Sequence, residues 1–491
     1  MSQFLFYYVR PEPQTWVFLS IFSILGVFVV FHRFWSMRNL DILLILSFTL
    51  GYMMVYEGNK AALSHGEVPL AASMATGSGL PPADANRPNG GEDPSLVGGA
   101  MVASEGGERP DAAWSPRSLL YWGFLSLLVC AGLLTTRMLL DTAIVRRPLL
   151  EPNLNGGGML FIGISLLVFL LVNVGMSTKD ENRKQGPDLG PGYVLLSALP
   201  QISTVLDRTV DSDEETVAVP EAQPTGNRKM KEMIARVLAI GANLVLVFCI
   251  VGIGYWHFGS LNTGVGAATF YLLLPYTAYA TGRVDHVVPG AMLLMALLMY
   301  RQPFIAGLFL GCAAGVTYYP FSLLPLWCSF YWQRGIRRFT SGFALAVVAL
   351  VVAMAILHPA DLAHHLSYMF GIKRVAMNGM DGIWGLGWHP FIRIPIIVVF
   401  ALLSISFVVW PPQKNLATLI SCSAALMAAT QFWHGFGGGL YLAWFLPLAI
   451  LTVFRPNLDY CVALEVVRPT KRKGKPIKPA EVLELPPENA A

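Results

Sequence analysis

Apolar runs, each of roughly 17–22 residues and so long enough to cross about 30 Å of hydrocarbon as a helix, recur along this chain between short polar turns. Helix is the expected form, because each backbone group then finds its partner inside its own segment. None of the runs alternates at period two, the mark of a membrane β-barrel. The pattern predicts an all-α, polytopic integral membrane protein with helices near 15–32, 40–56, 118–136, 158–176, 234–255, 264–281, 284–300, 304–317, 319–332, 340–358, 391–410, 416–433 and 439–455. That is about 11–13 membrane helices, depending on how the shortest are counted.

Two of these, 304–317 and 319–332, are too short to cross separately. They read as a hairpin of half-length helices turning at Thr317-Tyr318-Tyr319-Pro320. Its first arm carries Gly307, Gly311 and Gly315 at four-residue spacing, a line of small residues that lets another helix approach closely.

Two long segments interrupt the pattern. Residues 57–117 are rich in Gly, Pro, Ala and Ser with almost no aromatics, a composition too poor in apolar groups to order itself. They are predicted to be a disordered external loop. Residues 177–233 form a second external loop, also disordered over 211–225. Within it, Gly190-Pro191-Gly192-Tyr193 opens an apolar stretch to Leu206 that fits a short helix in the membrane interface. The chain thus divides into helices one and two (1–56), the first loop, helices three and four (118–176), and the second loop. A helical core (234–456) and a basic tail (457–491) follow.

Composition agrees with the pattern. Of the 491 residues 54% are hydrophobic and 13% charged, about half the charge of an ordinary soluble domain; mean hydropathy is +0.54. The net charge of +4 is spread through short turns and forms no basic face for nucleic acid. Six cysteines lie in or at the ends of apolar segments without paired spacing, which argues against a disulfide framework or a zinc site. The run from Trp16 to Phe31 has no small-residue cleavage site after it and reads as a retained helix.

Basic residues set the orientation. Arg33, Arg38, Arg146, Arg147, Arg301, Arg334, Arg337, Arg338, Lys414 and the Lys471-Arg472-Lys473 tail all fall on the cytoplasmic side if the N-terminus is outside and the hairpin makes no net crossing. Arg228, Lys229 and Lys231, beside a long loop where the rule is weak, fall outside.

On that topology the ionisable residues collect at the external side, where charge near a membrane is costly and therefore informative. The turn Thr281-Gly282-Arg283-Val284-Asp285-His286 lies between helices six and seven. The loop 359–390 supplies His364, His365, Lys373, Arg374, Asp381 and His389, and Arg393 opens the next helix. His434 precedes the flexible Gly435-Phe436-Gly437-Gly438-Gly439, and Asp180, Glu181 and Asp188 open the second long loop. Carboxylates, imidazoles and guanidinium groups on one face can activate a hydroxyl and clamp a phosphate. Plainer readings stand beside this. Arg283 with Asp285 also reads as an ion pair closing a tight turn, and His364 and His365 as solvated loop residues. Trp384 and Trp388 read as interface anchors as well as sugar-stacking platforms. No ligand set with recognisable metal spacing occurs, so a divalent metal is neither required nor excluded.

The stretch 264–335, with "TGRVDHVVPGAMLLMALLMYRQPFIAGLFLGCAAGVTYYPFSLLPLW" at its heart, resembles the GT-C type membrane glycosyltransferases. Within them it is most similar to the polyprenyl-phosphate-mannose-dependent mannosyltransferases with the DUF2029 domain. In that family a polar turn leads a helix, a basic turn follows, and a Pro-containing hairpin ends in "LLPL". The matching positions are Gly282-Arg283-Val284-Asp285, Tyr300-Arg301-Gln302-Pro303, and Pro320 with Leu324-Pro325-Leu326. The segment Tyr441 to Pro447 resembles the family's closing helix. The likeness covers a third to two fifths of the chain, and Thr317 stands where the family has a Lys, removing a candidate phosphate contact.

The resemblance implies a sugar moved from a polyprenyl-phosphate donor in the bilayer to an extracytoplasmic acceptor, in a bacterial cytoplasmic membrane. The lipid-phosphate-linked sugar is the donor substrate, and no resident cofactor is implied with certainty. The family's catalytic carboxylate follows the first core helix. If helices four and five are that pair, Asp188 becomes the candidate base and helices one to three an added module. Asp285 and His286 would join Asp188 in catalysis, orienting donor or acceptor. Arg283, Arg374 and Arg393 would hold phosphate, with Tyr193, Tyr319, His389 and His434 as further binding candidates. A transporter or lipid-handling permease is the alternative, because broken half-helices occur there too; no internal repeat relates two halves of the chain. A non-catalytic membrane assembly protein is the third reading.

Overall fold

The computed structural model describes residues 13–64, 115–143, 150, 152–175, 179–184, 196, 199–202, 226–357, 359, 362–363, 380, 382–435 and 437–467. The four helices before residue 176 are α1 (Pro13–Phe28), α2 (Met37–Ser64), α3 (Pro116–Leu140) and α4 (Gly156–Gly175). The next five are α5 (Gly226–Trp256), α6 (Leu261–Leu273), α7 (Pro275–Ala280), α8 (Val284–Leu298) and α9 (Pro303–Val316). After a 3-10 turn at Tyr319–Leu323 come α10 (Leu324–Phe330), α11 (Ile336–Leu357), α12 (Arg393–Ser406), α13 (Leu416–Ala429), α14 (Leu446–Phe454) and α15 (Ala463–Val466).

Among the described residues five helices are long and apolar enough to cross a membrane: 37–62, 116–143, 156–175, 230–256 and 336–357. They mark the chain as an integral membrane protein. Shorter apolar helices, among them α1, α8, α9, α12 and α13, pack around them. Large apolar side chains stand exposed on the outer faces, including Phe161 on α4, Phe248 on α5 and Ile356 on α11. Such faces are costly in water and suited to lipid.

Each expected apolar run is matched by helix, with four differences of consequence. The run 264–281 is split, because Pro275 cannot donate to the preceding turn and Leu274 is extended at ψ 131. The expected second arm of the hairpin shrinks to a 3-10 turn and the seven-residue α10. The expected loop boundaries at 57 and 117 move, since α2 continues to Ser64 and α3 begins at Pro116 with Ser115 as its cap; residues 65–114 lie outside the described residues. An antiparallel pair joins Lys179–Lys184 to Pro200–Ile202, with Asp180 opposite Gln201. This short pair leaves the chain all-α in architecture but corrects the interfacial helix at 200–202; most of the remaining stretch from Tyr193 to Leu206 lies outside the described residues.

The glycine line of α9 packs along α11. A Cβ on Gly307 would fall on the Phe339 carbonyl, and one on Gly342 on the Phe304 carbonyl; at Gly311 it would lie 2.6 Å from the Phe343 carbonyl oxygen. The two backbones therefore touch on both sides, the close approach that four-residue spacing of small residues permits. α3 packs against both α2 and α13, and one continuous apolar core runs from Trp16 to Val467.

A buried ionic network fixes the opposite ends of α2 and α3. Arg137 holds Asp41 with two bonds of 2.5 and 2.8 Å and reaches Asp141 at 3.3 Å. Arg455, just past α14, donates to the other Asp141 oxygen at 2.5 Å. Each charge thus meets an opposite one, as buried charge requires. Part of the expected tail is also packed: Leu458, Cys461 and Val467 are buried, and Arg334 donates to the Leu464 carbonyl at 2.6 Å. Residues 468–491 lie outside the described residues.

Asn415 caps α13 reciprocally with Thr418: its oxygen accepts from the Thr418 N–H at 2.9 Å, and the Thr418 hydroxyl accepts from the Asn415 N–H at 3.0 Å. Replacing Asn415 by Ala should cost about 1 kcal/mol, read as a lower unfolding midpoint in detergent. An unchanged midpoint would show that the cap contributes nothing.

Candidate functional site

The polar turn before α8 is anchored from α5. The Asn243 amide donates to the Thr281 carbonyl at 2.9 Å and to its own Ala239 carbonyl at 2.8 Å. Arg283 then caps α8 in extended conformation. Its Nε and Nη2 lie 3.3 and 3.2 Å from the two Asp285 carboxylate oxygens, so the ion-pair reading of this turn holds. Burial disfavours the charge on Arg283, but the adjacent Asp285 carboxylate outweighs it and raises the Arg283 pKa above the ordinary guanidinium value. Asp285 sits in the first turn of α8, where the helix dipole favours a negative charge.

Pro289 explains how a second segment joins this turn. In a helix the N–H of residue 289 would bond the Asp285 carbonyl, and proline has none to give. The Trp444 indole N–H takes its place at 3.2 Å. Gly290 lets the chain come that close, since a Cβ there would sit 2.5 Å from the Ala443 carbonyl oxygen.

His286 is 2% exposed and held on three sides. The Tyr276 hydroxyl lies 2.7 Å from its Nδ1, the Asp285 carboxylate 3.5 Å from its Nε2, and the Tyr441 ring stacks on it at 4.4 Å. A neutral imidazole must present its N–H to the carboxylate, so Nε2 carries the proton and Nδ1 accepts from Tyr276. Tyr276 in turn accepts from the Ala443 N–H at 3.2 Å.

A second tyrosine–histidine pair lies beyond Tyr441. Tyr319 is hydrogen-bonded to His434 Nδ1, and the Tyr318 hydroxyl donates to the Tyr319 hydroxyl at 3.0 Å. Tyr441 meets His434 edge-on at 4.6 Å, and Trp444 lies 4.4 Å from Tyr441 and 5.3 Å from Tyr319. The Gln431 side-chain Oε1 accepts from Gly439 N–H at 3.0 Å, holding a turn in which Gly437 and Gly439 take φ of +66° and +98°.

Arg393 begins α12 at the edge of this group. Its Nε and Nη2 donate to the Trp433 carbonyl at 3.0 and 2.8 Å, Nη1 lies 2.9 Å from the Met380 sulfur, and the guanidinium faces Trp384 at 5.9 Å. Trp384 is buried, so the interface-anchor reading does not describe it.

Arg283, Asp285, His286, Tyr319, Arg393 and His434 are thus gathered into one aromatic-rich cluster. It is buried among helix ends, not spread over an exposed face as expected. His389 is exposed and stacks on Phe391 at 5.2 Å, with no described contact to the cluster. Asp188, Tyr193 and Arg374 lie outside the described residues, as do His364, His365, Lys373 and Asp381. Thr317 is fully buried with its hydroxyl 3.4 Å from the Ala313 carbonyl oxygen, turned to its own helix. Among the described residues no group of three His, Cys, Asp or Glu side chains is placed to hold a metal ion.

Sequence reasoning missed Tyr276 and the network of Asp41, Arg137, Asp141 and Arg455. The signal for the network was present. Asp41 and Arg137 flank apolar runs, and charge within a membrane helix commonly has a buried partner. The expected helices 40–56 and 118–136 left Asp41 one residue inside its helix and Arg137 one residue outside. No protein-family model, no curated protein and no solved structure matches this chain.

Proposed function

We propose that this protein is a GT-C-like membrane glycosyltransferase that moves a sugar from a polyprenyl-phosphate donor to an extracytoplasmic acceptor. One observation carries the reading. Three segments with DUF2029-like sequence, the Arg283–His286 turn, the hairpin at Tyr319 and the closing Tyr441–Trp444 segment, meet in one cluster. Ionisable groups there lie among aromatic rings of the kind that stack on sugars. A guanidinium has five N–H groups, and Arg283 spends two on Asp285, leaving donors for a phosphate. The protein would sit in a bacterial cytoplasmic membrane with its N-terminus outside and its C-terminus inside.

Two carboxylates are candidates for activating the acceptor hydroxyl. Asp188 takes the place the resemblance gives to the base, and Asp285 acts through His286. Replacing each by Asn, separately, and measuring transfer from polyprenyl-phosphate mannose should lower the rate about 100-fold in at least one variant. Full activity in both would reject the assignment.

One observation favours a non-catalytic membrane assembly role: Thr317, where the family carries a Lys, is buried against its own helix and offers no cation. That role predicts a folded protein with no transfer.

A further inference from the structure

The polar cluster lies at the starts of α8 and α12, and the turns beyond their other ends are bonded to one another. The Tyr331 hydroxyl donates to the Tyr300 carbonyl at 2.6 Å, and the Ser329 hydroxyl to the Val408 carbonyl at 2.8 Å. His257, just past α5, reaches the Leu298 carbonyl at 2.8 Å. Exposed indoles collect at this end: Trp256, Trp332 and Trp410 are 60, 73 and 40% exposed. A ring with an apolar body and one N–H settles at the headgroup level of a bilayer, so these three mark that level on the bundle.

Trp332 leads into a cationic turn. Arg334 is half-buried and spends one donor on the Leu464 carbonyl. Arg337 and Arg338 are exposed in the first turn of α11, and among the described residues neither pairs with a carboxylate. The start of a helix is the unfavourable end of its dipole for a cation, so nothing described within the fold offsets their charge. α11 sets what lies below them. Positions seven apart share a helix face, and Arg338 heads a row continued by Leu345 and Val352, with Val348 beside them. These three are 52, 49 and 57% exposed. The ten residues from Arg338 to Val348 rise about 15 Å, half of the ~30 Å hydrocarbon thickness. The surface is cationic at the headgroup level and apolar for the depth of one leaflet.

We propose that the turn Trp332–Arg338 and the outer face of α11 form a binding site for one anionic phospholipid of the leaflet at this end. Its phosphate lies on Arg337 and Arg338, whose forked N–H groups match phosphate oxygens. The Trp332 ring stands in the glycerol layer beside it, and the acyl chains run along Leu345, Val348 and Val352. A zwitterionic lipid would meet the same apolar row but carry a cation of its own toward the arginines. An acidic protein or a nucleic acid would meet the charge and leave the apolar row uncovered. The site does not depend on the glycosyltransferase reading.

The test uses the full-length protein purified in detergent, phosphatidylglycerol and phosphatidylcholine as probes, and native mass spectrometry to count bound lipid. The native protein should bind its first phosphatidylglycerol about fivefold or more tighter than phosphatidylcholine. Arg337→Gln combined with Arg338→Gln should weaken phosphatidylglycerol binding about 30-fold, on the order of fivefold for each arginine. Phosphatidylcholine binding should stay within about twofold. Arg33→Gln, which removes an exposed arginine from another turn, should change neither affinity by more than about twofold. Equal native affinity for the two lipids, or a loss from Arg33→Gln as large as that from the double variant, overturns the site. Displacement of the lipid by inorganic phosphate alone would show a free-anion site and also overturn it. Should the double variant fail to fold, Arg338→Lys keeps the charge and loses the fork; binding weakened about threefold supports the site, and unchanged binding overturns it.

Discussion

Arg137→Met should destabilise the folded protein by about 3 kcal/mol or more, read as a lower unfolding midpoint in detergent titration. Asp41 is 5% exposed, and its carboxylate bonds to both Nε and Nη2 of Arg137. Removing the guanidinium strands that carboxylate, while Asp141 keeps Arg455. The cost is chiefly that of a buried charge left without its partner, more than of an attraction lost. It follows that Asp41→Leu combined with Arg137→Met should recover most of the loss, because well-packed apolar groups replace a buried pair at little cost. A single variant as stable as native, or a double variant no better than the single, would contradict this account. The network spans α2, α3 and the end of α14, so its loss should loosen the N-terminal helices from the C-terminal ones.

Gly342→Val should be as damaging, by about 3 kcal/mol, for a steric reason. The added Cβ would land on the Phe304 carbonyl, and that obstacle is backbone, which no side-chain rotation can clear. α9 and α11 would have to separate along their whole contact. Gly241→Ala is the control: nothing lies within 4 Å of its Cβ position. It should be neutral or stabilising by up to about 1 kcal/mol, the difference in helix propensity. Equal stability of Gly342→Val and native protein would show that the two helices are not in backbone contact.

How much of this was legible follows from what a linear pattern encodes. The apolar runs located the helices, because length and hydropathy are properties of one segment, and the spacing of Gly307, Gly311 and Gly315 foretold a close helix contact. The break at Pro275 and the pairing of Lys179–Lys184 with Pro200–Ile202 were not foreseen. The first needed weight on one proline inside an apolar run. The second joins short polar segments that carry no period. Arg283, Asp285 and Arg393 lie at helix starts as the apolar runs implied, but their burial was not legible. Whether His286 meets solvent or Tyr441 depends on a neighbour more than 150 residues away in the chain. Pro289 came closest to a readable clue, since it frees the Asp285 carbonyl that Trp444 then occupies. Tyr276 sits in an apolar run and reads as an ordinary core aromatic until His286 is seen beside it.

The claim on which most depends is that the cluster around Asp285, His286 and Tyr441 transfers a sugar from a lipid-phosphate donor. Its most direct test reconstitutes the purified native protein in lipid vesicles with labelled polyprenyl-phosphate mannose and octyl mannoside, and follows the label into the acceptor. The account predicts labelled product from the native protein and about 100-fold less from His286→Ala. No labelled product from a folded native protein, or equal product from both proteins, would contradict it.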